Sequence, residues 1–302
     1  MTDTPPAARR RARLGLGNDW AMGWLLCAPA ILALLVLRVV PALIALVDSF
    51  RQASFFNPDE KIWVWFDNYV FLFTQSPTFL QSMKVTVTFV IVTVAVQTVA
   101  ALLLALLFVQ RGWAMSFWRT LVFIPITIPV AVSAVVWGTA MRGDGILNAA
   151  LERLGIAAQP FLASPDQALW SVVLTASWIG VGYWMVFLIA GLKDIPEDVK
   201  EAAAMDGAGA LRTFFSITLP LLRRPLAFVV VANTVANFLQ FVPAAILTQG
   251  GPNYTTRFLM YEIYTQAYLQ GDVSLANAQI VLVLIVMLAI VALQFRLLRS
   301  NT

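Results

Sequence analysis

Six long apolar stretches, at roughly 22–47, 85–109, 119–141, 169–192, 225–247 and 276–296, leave this chain few folds to choose from. A helix needs about 20 apolar residues to cross a hydrocarbon core of ~30 Å, and each stretch reaches that length. The runs are continuous and lack alternation with period two, which excludes a transmembrane β-barrel. Composition agrees: 60% of the 302 residues are hydrophobic and only 12% are charged, against about 25% charged in soluble domains. Such a chain has too little polar surface to cover a soluble core. The expected fold is an all-α membrane protein of six transmembrane helices.

The charges in these stretches stand at their ends, apart from Arg38. At ~1.5 Å per residue Arg38 lies about 27 Å along a helix from Trp20, near the far interface, where its guanidinium can snorkel to water. Residues 1–18 carry Arg9, Arg10, Arg11 and Arg13 and read as a disordered cytoplasmic lead to a six-span transmembrane domain over 19–302. The run from Ala21 to Val47 is too long for a cleaved signal peptide and reads as a retained first helix. Six spans put both termini on one side. The segments there hold Arg9, Arg10, Arg11, Arg13, Arg111, Arg119, Lys193, Lys200, Arg212, Arg223, Arg224, Arg296 and Arg299. Opposite them stand Arg51, Lys61, Lys84, Arg142, Arg153 and Arg257. The positive-inside rule therefore assigns N- and C-termini to the cytoplasm.

Function classes fall away quickly. The chain has no histidine, which removes Ser-His-Asp catalysis and most zinc sites. Its single cysteine, Cys27, cannot form an internal disulfide. No catalytic constellation, metal site or nucleic-acid-binding patch is visible, and lipid is the expected surrounding. A six-span receptor, a membrane enzyme and a secondary transporter are the other classes to weigh. The last two need intramembrane carboxylates or other ionisable groups, which the spans lack apart from Arg38.

The outer loops, 48–84, 142–168 and 248–275, are too small to form domains. The first holds Phe55, Phe56, Trp63, Trp65, Phe66 and Tyr69, read as an interfacial aromatic belt. Gly143-Asp144-Gly145 and Gly250-Gly251-Pro252-Asn253 read as turns. The inner loop over 193–224 is different. Pro196 and the acids around it suit a helix's first turn, with Asp194 and Glu197 as a capping box. Val199 to Met205 is a strong helical run, and Gly207 and Gly209 then permit a turn. A second short helix over about 210–218 runs to Pro220, which is expected to break or redirect the chain. On composition this helix–turn–helix reads equally as a plain connector or as a pair that docks into a cytosolic partner's groove.

Those residues carry a resemblance. Glu201-Ala202-Ala203, Gly207, Ile217 and Leu219-Pro220 reproduce EAA-x3-G-x9-I-x-LP, seven fixed positions across 20 residues. The chain thus resembles the permease subunits of bacterial ABC importers, from about Phe66 to the C-terminus. It is most similar to the carbohydrate permeases of the maltose and glycerol-3-phosphate type, through Ile195-Pro196-Glu197-Asp198, Asp206-Gly207-Ala208-Gly209, Gly145-Ile146-Leu147-Asn148 and Thr248-Gln249-Gly250-Gly251-Pro252. The resemblance implies an inner-membrane subunit that forms half of a path for a sugar or oligosaccharide, or a glycerol-3-phosphate or polyol solute. Its partners would be a second EAA-type permease, two copies of a cytosolic P-loop ATPase and an external solute-binding protein. The EAA loop would couple to the ATPase, with Glu201 as polar contact. The chain has no GxxxxGK[ST] loop, so it is not expected to be an enzyme, and ATP and Mg would be bound by the partner ATPase.

Candidate solute contacts come from polar residues inside spans, which are costly there and usually face a cavity or bundle interior. Asn233, Asn237 and Gln240 fall at i, i+4 and i+7, one face of span five. Amides both donate to and accept from hydroxyls. Matching to the maltose-type motif implies Ile179, Gly180 and Tyr183 in span four, and Asn233, Ala236, Asn237 and Gln240 in span five. Ala236 stands where that pattern has phenylalanine and Gln240 where it has asparagine, so maltose specificity does not carry over. Pro125 and Pro129 read as a fixed kink in span three. Gln97, Thr86, Thr88, Thr93 and Thr98 read as packing residues of span two.

Overall fold

The computed structural model describes residues 16–53, 60–110 and 112–299. Most of the lead, Phe55, Phe56 and Arg111 lie outside them. Among the described residues five helices are long and apolar enough to cross a membrane, or six if one bent pair counts as a single span.

Helix α1 (Leu16–Leu34) passes through a π turn at Leu35–Val39 into α2 (Val40–Asp48). Helix α1 therefore includes residues 16–18, at the end of the segment expected to be the lead. From Met22 to Leu46 the side chains stand mostly exposed, while the end of α2 is tied down. Asp48 is buried and accepts from Lys61 at 2.6 Å, Ser49 Oγ lies 2.7 Å from Tyr69 Oη, and Asn68 donates to the Ser49 and Arg51 carbonyls. Here the chain departs from an all-helical layout. Strands β1 (Arg51–Ala53) and β2 (Lys61–Trp63) form an antiparallel hairpin, with Arg51 opposite Trp63 and its guanidinium 4.3 Å from that ring. Helix α3 (Asp67–Thr74) follows. Trp63, Trp65 and Phe66 stay more than half exposed.

Two spans start earlier than hydropathy suggested, for the same local reason. Helix α4 (Pro77–Phe108) begins with Ser76, whose hydroxyl accepts from Phe79 N, and α8 (Pro165–Lys193) begins with Ser164, which accepts from Asp166 N. Serine at the cap followed by proline at the first helical position satisfies one orphan donor and dispenses with another.

The third apolar stretch is not one helix. Helix α5 (Trp113–Phe123) tightens into a 3-10 turn at Ile124–Thr127, and α6 (Val130–Ala140) then leaves at 98°. Proline disfavours the helical region for the residue before it, and Ile128 is accordingly extended, at ψ 129. The expected kink is a full break. Helix α7 (Ile146–Arg153) is tied to the segments on either side of it by Asn148, which donates to the Arg142 and Gln159 carbonyls and accepts from Gln159 N.

The fifth stretch is corrected in the opposite sense. Helix α9 (Glu197–Met205) is followed by α10 (Ala210–Thr213), a π turn at Phe214–Thr218 and α11 (Leu219–Phe238), and Ala210–Phe238 is a single span. Pro220 does not break it. A proline ring inside a regular helix clashes with the carbonyl four residues earlier. Here that carbonyl belongs to Ser216, inside the wider π turn, whose closing bond runs from Leu219 N to Phe214 O. The first span repeats the device, with its π turn just ahead of Pro41. The apolar stretch to 247 ends early: α11 stops at Phe238, and Ala244–Thr248 is a separate π turn. Helices α12 (Leu259–Tyr264) and α13 (Val273–Arg299) complete the chain.

Helix α4 lies along α8, with α11 across both. Their apolar packing falls into two clusters. One gathers Phe79, Phe89, Val172, Phe238, Phe258 and Ala276. The other gathers Ala101, Ala105, Trp184, Leu188, Leu222 and Val229. Gln97, Ile179–Tyr183 and Asn233–Asn237 lie between the two along all three helices.

Candidate functional site

A cavity of about 520 Å³ occupies that interruption. Its lining contains all seven path residues named from the sequence: Ile179, Gly180, Tyr183, Asn233, Ala236, Asn237 and Gln240. Asn233 and Asn237 are buried, Tyr183 is 37% exposed, and Ala236 opens its small side chain to the space. The lining has no Asp, Glu, Lys or Arg.

The asparagines sit one turn apart on α11, where side chains at i and i+4 stack on one face. Asn237 Nδ2 donates to Asn233 Oδ1 at 2.6 Å and to the Asn233 carbonyl at 3.0 Å. The remaining amide groups, Asn233 Nδ2 and Asn237 Oδ1, are buried without a protein partner. Amides of this kind can both donate to and accept from a hydroxyl.

Eight further residues line the cavity, and two of them, Gln97 and Ile126, come from elements that sequence reasoning had not assigned to it. Gln97, read as a packing residue, lines the cavity and is 2% exposed; its Nε2 donates to the Ala176 carbonyl at 2.9 Å, and its Oε1 accepts from Asn237 at 3.2 Å. The signal available was its position as a lone amide deep in an apolar span, which is costly unless satisfied. Ile126, from the broken third stretch, closes another wall. It reaches the cavity because α5 packs tightly on α8: a β-carbon at Gly182 would overlap the Val122 carbonyl.

The residues of the loop over 193–224 form a second region. Glu201 and Ala202 are exposed on α9, while Ala203 is buried. Gly207 ends the helix at φ +72°, with Ala208 N bonded to the Ala203 carbonyl and Gly207 N to that of Ala204. This is a Schellman closure, which favours glycine at the left-handed position. The expected capping box does not form. Pro196 is the N-cap of α9 without a side-chain bond, and Asp194 instead ends α8. Ile195 is buried in the cluster of Leu192 and Leu222 and anchors the loop's root. Around Glu201 the loop exposes Met205, 89% accessible, and Leu211, 76% accessible. Ile217 is half-buried, and Leu219 and Pro220 lie in the helix that leads on to the cavity.

On the far side Thr248 to Pro252 form a turn in which Thr256 Oγ1 donates to the Gly251 carbonyl. Below it Arg257 and Glu262 form a buried ion pair, and Thr78 donates to Glu262 at 3.1 Å.

Comparison with known proteins is consistent with this arrangement. Residues 97–300 match the family described as "Binding-protein-dependent transport system inner membrane component". The chain is 31% identical over 297 residues to the Bacillus subtilis (strain 168) protein named "Probable ABC transporter permease protein YesP", covering 96% of this chain and 95% of that one. It is 33% identical over 275 residues to the Brucella abortus sn-glycerol-3-phosphate transport system permease protein UgpA, covering 90% and 93%. In fold it is similar to a chain of a bacterial ABC transporter involved in alginate import, with TM-score 0.80, 23% identity, and coverage of 95% and 99%. With two thirds of its length matched by the family and relatives above 30% identity along nearly all of it, the chain belongs to the inner membrane components of binding-protein-dependent transport systems.

Proposed function

We propose that this chain forms half of the translocation path of an ATP-driven importer for a sugar or oligosaccharide. It has six spans, counting the broken third, and cytoplasmic termini, and lies in the bacterial inner membrane. An external binding protein delivers the solute, a second EAA-type permease supplies the other half, and two copies of a cytosolic ATPase bind the EAA loops and hydrolyse ATP.

One observation carries the reading. The exposed loop bearing Glu201 turns at Gly207 into a helical run, Ala210–Phe238, that ends among the cavity amides Asn233 and Asn237. At ~1.5 Å per residue the 23 residues from Ala210 to Asn233 span about 35 Å. Movement of the loop by a docked ATPase is thereby delivered to the cavity wall. Two arrangements of such a helix, each favoured by different contacts, would open the path to one side at a time. Glu201 supplies the polar contact at the ATPase, and Met205 and Leu211 the apolar one.

The amides favour a hydroxylated, uncharged solute. A second reading, a glycerol-3-phosphate importer, is supported by the likeness to UgpA; the uncharged lining then requires the partner permease to supply the cation. Purification of this chain from detergent-solubilised native membranes tests the assembly. Recovery with a P-loop ATPase, a second EAA-bearing permease and uptake of labelled sugar in proteoliposomes supports it. Recovery of the chain alone, under conditions that keep known importers intact, overturns it.

A further inference from the structure

A second cavity, of about 660 Å³, lies beyond the first along the same two walls. We propose that it is a further sugar subsite, in which Arg142 and Asp144 hold the hydroxyls of a second ring, so that the path takes an oligosaccharide. This rests on the reading of the first cavity as the solute path.

Helix α6 supplies one wall. Val130 lines the first cavity, while Ala134 and Gly138 line the second. These three stand at i, i+4 and i+8, on one face of the helix, and Arg142 follows just past its end. The segment after α11 supplies the other wall, with Pro243 at the first cavity and Ile246 and Leu247 at the second. The walls meet at Gly138, where a β-carbon would stand 3.3 Å from Leu247 Cδ2. Trp137 packs edge-on against Trp178 at 5.6 Å, which holds α6 to α8. At ~1.5 Å per residue Val130 and Gly138 stand about 12 Å apart, a separation bridged by linked rings and not by a single one. Both cavities fall within the ~300–1,000 Å³ of small-molecule sites. The second touches residues just before the start of α8, so it lies at the end of that helix opposite the loop over 193–224. With the termini cytoplasmic, as proposed, this is the side from which solute is delivered.

Among the residues lining the second cavity, Arg142 and Asp144 alone are charged, and their charges cancel. Arg142 Nε donates to Asp144 Oδ1 at 3.2 Å, with the side chains 68% and 78% exposed. So exposed a pair is weak. The other guanidinium nitrogens and Asp144 Oδ2 have no partner among the described residues. They supply donors and an acceptor to neighbouring hydroxyls of a neutral ring. The turn beneath them is held by its backbone instead: Gly145 N and Asn148 Nδ2 both donate to the Arg142 carbonyl, at 2.9 and 3.0 Å. Either side chain can therefore be exchanged with the turn intact.

Matched monosaccharides and trisaccharides of glucose, galactose, mannose and xylose are the probes. Binding to the whole transporter in lipid nanodiscs is followed by saturation-transfer NMR. In a series that binds, the trisaccharide is expected to bind about tenfold more tightly than its monosaccharide. Arg142→Gln and Asp144→Asn should each cut that advantage about fivefold, the loss of one hydrogen bond, and change the monosaccharide less than twofold. Asn237→Ala, in the first cavity, should weaken both sugars alike. A trisaccharide that binds no better than its monosaccharide overturns the second subsite. An unchanged advantage in both variants also overturns it. So does an equal loss for both sugars in Arg142→Gln and Asp144→Asn, which would make the pair part of the turn's structure. Binding of none of the sugars overturns the first cavity as a sugar path. Failure of this chain to assemble with an ATPase would instead strike the importer reading.

Discussion

Gly180 on α8 faces Gln97 on α4 so closely that a β-carbon would stand 2.6 Å from the Gln97 side-chain nitrogen. The glycine is there to admit an amide from the neighbouring helix, and this couples two spans at the level of the cavity. Gly180→Ala should therefore displace Gln97 and lower the thermal midpoint of the purified protein, by an overpacking cost of ~1–3 kcal/mol. In a Gln97→Ala background the same substitution should cost little, because the obstacle is gone. A double-mutant cycle checks this, and equal costs in both backgrounds would refute the contact.

Asn237→Ala should reduce uptake far more than Thr93→Ala. Both side chains are buried, but Asn237 lines the cavity and Thr93 does not. A loss of roughly tenfold in uptake efficiency is expected for Asn237→Ala and less than twofold for Thr93→Ala. Proteoliposome uptake at several solute concentrations measures it. Equal effects would remove the cavity from the path.

Glu201→Ala should leave membrane insertion and the melting temperature intact, because Glu201 is exposed and makes no contact with the cavity. Binding-protein-stimulated ATP hydrolysis and uptake should fall together. Unchanged stimulation would sink the assignment of this loop as the ATPase contact.

At Gly207 a β-carbon would meet nothing within 4 Å, yet φ is +72°. The cost of Gly207→Ala is thus purely conformational, ~1–2 kcal/mol, and Gly207→Asn should cost less because asparagine tolerates that region. Thermal melts of the two variants should rank alanine below asparagine, with coupling impaired in the same order.

Arg257→Met should destabilise the protein by ~3–5 kcal/mol, because it leaves the Glu262 carboxylate buried without its partner. Replacing both, as Arg257→Met with Glu262→Leu, should recover much of that loss. Chemical unfolding in detergent compares the three proteins, and a double variant no better than the single one would argue against the pair as the cause.

The broad plan and the site differ in how they could be read from the residues. Hydropathy marks where apolar helices lie, since the bilayer demands about 20 apolar residues per crossing whatever the neighbours are. It misjudges their ends: the Ser76-Pro77 and Ser164-Pro165 starts belong to polar stretches, yet capping carries the helices into them. It also misjudges prolines, because their effect depends on the carbonyl four residues back. Pro129 breaks its span, while Pro220 is absorbed by a π turn.

The EAA pattern and the asparagine spacing are local, and the residues alone determined them: seven positions on one loop, and two amides one turn apart on one helix. Which amides meet across helices is a matter of packing between segments about 80 and 140 residues apart, as for Gln97 with Ala176 and Asn237. The tertiary structure decided that Gln97 belongs to the cavity, because its partners are a backbone carbonyl and an amide on two other helices, which only the packing brings to it.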